Sequence, residues 1–447
     1  MGEAPTPHKD PVKNESNRSI QSPFGAAPSI TAPLPGPKAK ELIARDERHS
    51  SPSYTRDYPL VVKHALGCVV EDVDGNRWID LAAGIAVCAT GHCHPVVVEA
   101  IEKQARSLIH ICGSDFYYPS MIELMQKLAS IVPGNGEKKV LLTNSGAEAA
   151  EAAFKLARHH TNRKYAIAFH GAFHGRTMGA LALTSSKTRQ REKFAPLVPM
   201  TAHVPFGDVK SIEQTLFKYQ MSPSEVAAIF VEAIQGEGGY VIPPPTFLPE
   251  LRKLCDKHGI LLVCDEIQSG MGRTGKWWAY EHFGIEADIT LISKGIASGM
   301  PIGAVVAREG IMDWPEGAQG STFGGNPVCC AAAVATLGLV ESQYMSNAAA
   351  MGKVLLARLK EIAAAHPSLD NARGIGLMCA VSIVNPDSKS ANPALRERIL
   401  QSAFSKGLIL LACGETAIRF CPALSINEAE LLAGLNIFAD AVATVAI

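Results

Sequence analysis

The chain has 447 residues, which at roughly 150 residues per domain allows two or three domains and excludes a small peptide module. Its 42 Lys and Arg stand against 43 Asp and Glu, a formal net charge of -1, so no overall field draws it to nucleic acid or to an anionic membrane. With 47% hydrophobic and 19% charged residues, it has the composition of a folded globular protein.

In chain order, residues 1–37 are dense in proline (Pro5, Pro7, Pro11, Pro23, Pro28, Pro33, Pro35 and Pro37), which opposes backbone pairing and predicts a flexible arm. The segment 38–95 follows, and its run VVKHALGCVVEDVDGNRWIDL predicts two strands around an Asp74-Gly75-Asn76 turn. Over 96–340 short β-branched runs alternate with helical patterns. The strands KKVLLT, YAIAF, AAIFVE, ILLVCD and DITLIS end near Thr143, Phe169, Glu232, Asp265 and Ser293, with helices such as Ala147 to His160 and Pro249 to His258 between them. Continuous apolar strands separated by helices predict a mostly parallel sheet covered on both faces, an α/β fold. The remainder, 341–447, mixes helices with the short strand-like runs RGIGLMCAVSIV, LILLAC and AIRFCP, and is read with 38–95 as a smaller α+β domain. Eleven scattered cysteines without a C-x-x-C pair predict free thiols in a reducing, cytoplasmic compartment. The N-terminus lacks the apolar core of a signal peptide. The longest apolar run, Val328 to Val340, is shorter than the roughly 20 residues that span a bilayer.

Ligands of open parallel sheets bind beyond the carboxyl ends of the strands, and here those ends are polar. KKVLLT runs into Asn144-Ser145-Gly146-Ala147-Glu148, where Ser145 and Glu148 have capping-box spacing and Gly146 leaves the first amides of a helix open to an anion. A plain helix cap has the same sequence. ILLVCD delivers Asp265, which is either an N-cap or the partner of a buried cation. DITLIS delivers Lys294, either a snorkelling surface residue or a desolvated nucleophilic amine. An anion cradle, an acid and a lysine at the ends of strands in one sheet meet the three needs of pyridoxal phosphate: a phosphate site, a proton-holding partner for the ring nitrogen, and an amine for the aldehyde.

The motifs AAGIAVCATGHCHP, TNSGAEAAEAAFKLAR, GAFHGRT, VEAIQGEGGY, LLVCDEIQSGMGRTG, LISKGIASGMPIGAVVA and GSTFGGNP occur in that order. From about Tyr58 to the C-terminus the chain resembles the class III, or omega-amino acid, aminotransferases of the fold-type I pyridoxal-phosphate enzymes. It looks closest to 4-aminobutyrate and ornithine-type members. The resemblance implies that Lys294 carries the cofactor and shuttles the proton, and that Asp265 pairs with the ring nitrogen. It also implies that Gln268 lies by the ring hydroxyl and that Phe173 stacks on the ring. Ser145, Gly146, Ala147, His174 and Glu232 complete the cofactor site, with Thr322 arriving from the other subunit of a homodimer. Arg176 and Arg419 occupy the carboxylate-binding positions, and Glu237 resembles the acid that masks the second arginine for omega-amino substrates and swings away for 2-oxoglutarate.

The implied reaction moves the terminal amino group of an omega-amino acid, 4-aminobutyrate above all, to 2-oxoglutarate. An amino-acid racemase and an ornithine or acetylornithine aminotransferase share the same lysine and aspartate and stay open. The chain departs from the family at Ala233 and Ala423, where proline is common, and the second lies near Arg419. His92-Cys93-His94 is not read as a metal site, because neighbouring side chains of an extended segment diverge. Gly270-Met271-Gly272-Arg273-Thr274-Gly275 lacks the third glycine of a dinucleotide loop. Amino acids and 2-oxo acids are the expected partners, with no nucleic acid and no membrane.

Overall fold

The structure, a computed structural model, describes residues 25–445. Near the N-terminus β1 (Val62–Leu66), β2 (Val69–Asp72) and β3 (Arg77–Asp80) form an antiparallel meander. The expected hairpin around Asp74-Gly75-Asn76 is present: Asp72 Oδ1 accepts the N–H groups of Asp74 and Asn76, and Gly75 takes φ +91°. There is one strand more than expected, because Gly67, at φ +59°, folds the first apolar run back on itself.

The arm expected over 1–37 lies outside the described residues up to position 24, and from Gly25 the chain is docked. Ser29 and Arg77 exchange backbone hydrogen bonds, and the Asn76 side-chain oxygen accepts the N–H groups of Thr31 and Ala32 at 2.8 Å each. Proline withholds its own N–H but leaves those of its neighbours to pair. The helix Pro37–Asp46 then starts on proline, and the Asp74 carboxylate caps the amides of Lys38 and Ala39.

The central sheet has seven strands: β4 (Lys138–Thr143), β5 (Tyr165–Phe169), β6 (Thr201–Val204), β7 (Val226–Val231), β8 (Leu261–Asp265), β9 (Ile289–Ile292) and β10 (Gly303–Arg308). Their order is β4-β10-β9-β8-β7-β5-β6, with β10 antiparallel to both neighbours and β5 to β9 paired in parallel. Alternate residues serve opposite faces. Ile229, Val231, Leu262 and Cys264 join one core, while Phe230, Val263, Leu291 and Val305 join another under the helix Gly146–Thr161. That helix presents Ala149, Ala150, Ala152, Ala153 and Ala157, all buried, so it lies close to the sheet.

The C-terminal part holds β11 (Leu369–Ile375), β12 (Met378–Ile383), β13 (Leu408–Ile409), β14 (Leu411–Cys413) and β15 (Ala417–Phe420). Four of these form an antiparallel sheet, β11-β12-β15-β14, while β13 runs parallel to β3 and ties the N-terminal meander to this end. Ile79 and Leu81 share a core with Leu355, Val381, Phe420 and Phe438. The helical stretch Pro327–Ala365 bridges the two regions. It is long and apolar enough to cross a membrane, unlike the shorter run Val328 to Val340 considered from sequence, and half of its most apolar window is buried inside the protein.

Candidate active site

The strand ends of the central sheet open into a cavity of about 300 Å³ lined by Gly146, Ala147, Phe173, His174, Arg176, Glu232, Asp265, Gln268 and Lys294, among others. The sheet thus gathers most of the candidates from sequence separations of more than a hundred residues. Ser145 stands just behind this lining as the N-cap of the helix Gly146–Thr161, its Oγ accepting the Glu148 N–H at 3.2 Å. The capping box is only half formed. Glu148 Oε2 reaches past the Ser145 amide to the N–H and Nδ2 of Asn144, at 2.9 and 2.8 Å. Two glycines permit the close approach here: a Cβ on Gly146 would stand 2.8 Å from Ile267 Cδ1, and one on Gly175, at φ +132°, 2.7 Å from Ala147 Cβ.

Asp265 ends β8 and is buried. Its Oδ2 meets His174 Nδ1 at 2.8 Å and its Oδ1 accepts the Ile267 N–H at 3.0 Å. Burial disfavours the charged imidazole of His174, yet the bond to Asp265 and the charges of Asp265 and Glu232 outweigh it and raise its pKa. Glu232 lies beneath: its two oxygens accept the N–H groups of Phe173 (3.1 Å) and Gly236 (3.0 Å), and burial pushes its carboxyl up to about 7 against the pull of His174. Gln268 Oε1 accepts the hydroxyl of the buried Tyr240 at 2.9 Å, a partner that sequence reasoning missed although Tyr240 closes the QGEGGY motif.

Lys294 follows β9 at φ +48°, a left-handed conformation uncommon for a lysine. Burial is the main cause that lowers its pKa; Arg419 adds to this, while Glu237, Asp265 and Glu232 oppose it. The residue is shared with a second cavity of about 520 Å³, as are Phe173 and Arg176. There Arg419 on β15, only 5% exposed, forms an ion pair with Glu237, 16% exposed. Burial alone would raise the Glu237 carboxyl, but Arg419 holds it below its ordinary value. Arg176 is exposed, its guanidinium 5.9 Å from the Phe173 ring centre. Lys187, Arg189 and Arg396 also line this space, and nothing in the sequence singled them out.

Thr322, like Ser145, is absent from the lining of both cavities. It is exposed, between Ser321, which accepts from Asn144 Nδ2 at 2.9 Å, and Phe323, which is 61% exposed. His92 and His94 turn to different partners, Asp80 Oδ2 at 2.8 Å and the Tyr344 hydroxyl at 2.9 Å. The glycine-bearing run Gly270 to Gly275 is a docking loop. Arg273 within it is buried and donates to the carbonyls of Leu377, at 3.1 Å, and Pro422.

A largely parallel sheet with this lysine, acid and helix N-terminus at its carboxyl edge defines a fold-type I pyridoxal-phosphate-dependent transferase. Over residues 51–442 the chain belongs to the class-III aminotransferases. It is 43% identical to an acetylornithine aminotransferase of Methanopyrus kandleri, covering 90% of this chain and 98% of that one. A 4-aminobutyrate aminotransferase of Escherichia coli is 38% identical, with 90% and 97% covered. The crystal structure of the ornithine aminotransferase from Toxoplasma gondii superposes with a TM-score of 0.83 at 30% identity, covering 91% and 95%. Enzymes of this class depend on pyridoxal phosphate, and the residues here fit it: the Gly146 cradle that a Cβ would fill, the buried Asp265 and the desolvated Lys294 line one cavity.

Proposed function

We propose that the protein transfers the terminal amino group of an omega-amino acid, with 4-aminobutyrate as donor, to 2-oxoglutarate, giving succinate semialdehyde and glutamate. The observation that carries this reading is the ion pair of Glu237 with the buried Arg419, in the cavity that also holds Lys294 and Arg176. A donor with no carboxylate on its reacting carbon meets a neutralised arginine there, and its distant carboxylate goes to Arg176. 2-Oxoglutarate has two carboxylates and takes both arginines once Glu237 swings aside, each held by a bidentate guanidinium fork. The 4-aminobutyrate relative supports the donor; the acetylornithine and ornithine relatives make a longer diamino donor the competing reading.

When bound, pyridoxal phosphate supplies the carbonyl that receives the amino group and a ring that draws electrons from the carbon losing its proton. Asp265 would hold the ring nitrogen protonated, and His174 with the Ile267 N–H keeps that carboxylate in place. Gln268 and Phe173 would hold the ring, and Ser145, Gly146 and Ala147 its phosphate. Glu232 fixes the backbone beside it. Lys294 Nζ would hold the cofactor's aldehyde and would move the proton of the reacting substrate carbon, as base and then as acid. We place the site at the interface of a homodimer, with Thr322 of each copy serving the other. Thr322 and Phe323 are exposed, the Phe323 ring lies 5.0 Å from that of His110, and the carbonyl of the 66% exposed Ile109 accepts from Asn326 Nδ2 at 3.0 Å. Eleven free cysteines support a reducing, cytoplasmic setting.

The test is product analysis after incubating the holoenzyme with 4-aminobutyrate, ornithine, acetylornithine and single-enantiomer amino acids, each with and without 2-oxoglutarate. Glutamate and succinate semialdehyde formed from 4-aminobutyrate only when 2-oxoglutarate is present are the expected result. Faster turnover of acetylornithine or ornithine would replace the donor, and loss of optical activity without 2-oxoglutarate would establish racemisation instead.

A further inference from the structure

The loop that carries Glu237 leaves β7 of the central sheet, yet the C-terminal sheet supplies much of what holds its backbone. Gln235 and Val241 exchange hydrogen bonds of 3.1 Å in both directions and close the loop into a turn. The Glu237 carbonyl accepts the Gly414 N–H at 2.8 Å. Arg373 on β11 binds two more carbonyls, donating from Nε to Tyr240 at 3.1 Å and from Nη2 to Gly239. Its Nη1 donates to the Asn371 carbonyl at 2.7 Å and to Ser382 Oγ at 2.9 Å, which fixes the guanidinium plane within its own sheet. There is little slack around it: Gly239 is held at φ +119°, and a Cβ on Gly414 would stand 2.8 Å from the Gly238 carbonyl. The Glu237 side chain is then the part of the loop left to move.

Register explains how one sheet does both jobs. Arg373 pairs with Ala380 on β12, and Ala380 pairs with Arg419 on β15. Directly opposed residues project to the same face of a sheet, and two strand spacings separate these arginines by roughly 10 Å. One rung therefore presents two guanidinium groups to the loop, one gripping its backbone and the other pairing with its side chain.

We infer that Arg373 is a positioning residue for substrate choice: it holds the 235–241 loop so that the Glu237 carboxylate stands over Arg419, and so sets how readily an alpha-carboxylate displaces it. The inference rests on the masking of Arg419 by Glu237 proposed above. It is tested on holoenzymes carrying Arg373→Met, Arg373→Lys, Glu237→Gln, and Arg373→Met with Glu237→Gln. Two quantities are read: the ratio of amine half-reaction rates for 4-aminobutyrate over L-glutamate, and the dissociation constant of glutarate, a dicarboxylate that cannot react.

Arg373→Met is expected to lower the rate ratio about ten-fold, the scale of a lost charge-assisted contact, and to tighten glutarate binding. Arg373→Lys, which keeps the charge on a single donor nitrogen, should recover part of both changes. In the Glu237→Gln background Arg373→Met should move the ratio less than about two-fold, because residues that act through one another are not additive. Equal slowing of both half-reactions by Arg373→Met, or the same change with and without Glu237, would overturn the inference while leaving the masking intact if Glu237→Gln alone still shifts the ratio. If Glu237→Gln alone leaves the ratio unchanged, the masking itself is wrong and the inference falls with it.

Discussion

Asp265 shows how much a single buried side chain is asked to do. It is 3% exposed and holds two hydrogen bonds from the protein, so its carboxylate is fixed before any cofactor arrives. An acid within about 4 Å of a ring cation contributes on the order of 4 kcal/mol at an effective dielectric near 20, close to a thousand-fold in rate if it acts fully on the transition state. Asp265→Asn should therefore keep the cofactor, followed by its visible absorbance, and lose most of the transamination; near-normal turnover at full loading would show that the carboxylate has another role.

Its neighbour Glu266 points away from the site and makes a different prediction. It is fully buried, and although Ala279 N–H, Tyr280 N–H and Ser269 Oγ donate to it, burial raises its carboxyl to about 7. The folded protein then binds a proton more tightly than the unfolded chain. This contribution to stability is fully present below the ordinary carboxylate value of 4.5 and is lost as pH rises towards 7, by up to about 1.4 kcal/mol per unit. Denaturant melts at pH 5 and pH 7.5 should show the wild type losing more stability over that interval than Glu266→Gln. Parallel losses would mean that Glu266 does not carry the dependence.

At the scale of elements, backbone-to-backbone contact adds to the side-chain core in docking the C-terminal sheet. The helix Met345–Ala365 crosses the β11–β12 turn at Gly352, where a Cβ would stand 2.4 Å from the Gly376 backbone. A Cβ on Gly376, at φ +57°, would in turn meet the Thr274 backbone at 2.6 Å. Helix, turn and the Gly270–Gly275 loop are thus stacked with no space between them, and the obstacles are main chain, which cannot rotate away. Gly352→Ala should destabilise by about 1–3 kcal/mol despite alanine's better helix propensity. The shift in the guanidinium unfolding midpoint measures it, and a stabilised variant would show that the contact relaxes freely. The same docking carries Arg373 and Arg419 to the active-site loop, so part of this loss should appear in substrate choice.

At the scale of the whole molecule, the proposed homodimer accounts for an otherwise misplaced residue. Thr322 lies in a motif that resembles a phosphate-binding segment, yet it sits outside both cavities, next to the exposed Phe323, whose ring lies 5.0 Å from that of His110. Phe323→Glu should convert a dimer into monomer in sedimentation velocity and loosen cofactor retention in the same preparation. A variant that stays dimeric with its cofactor in place would move the interface elsewhere.

The amino-acid sequence by itself determined the chemistry and the class of fold. Apolar β-branched runs specify strands buried on both faces whatever surrounds them, and their polar terminal residues, Asp265 and Lys294 among them, were visible as departures from that apolarity. Ser145 was legible as a cap because capping is a local interaction across three residues. The short strands β6 and β10 were not singled out. The paths that needed tertiary structure are those in which distant segments meet at backbone level. Glu148 bonds Asn144 instead of Ser145, residues from Gly25 onward pair with β3 despite their prolines, and Arg373 reaches two carbonyls on a loop more than a hundred residues away. The pairing of Glu237 with Arg419 could be suspected from resemblance, but its burial and the rung that aligns Arg419 with Arg373 came from strand register. The β11–β12 register is fixed by the short turn at Gly376-Leu377, but β12 and β15 are far apart in the chain, and their register follows from which faces pack together.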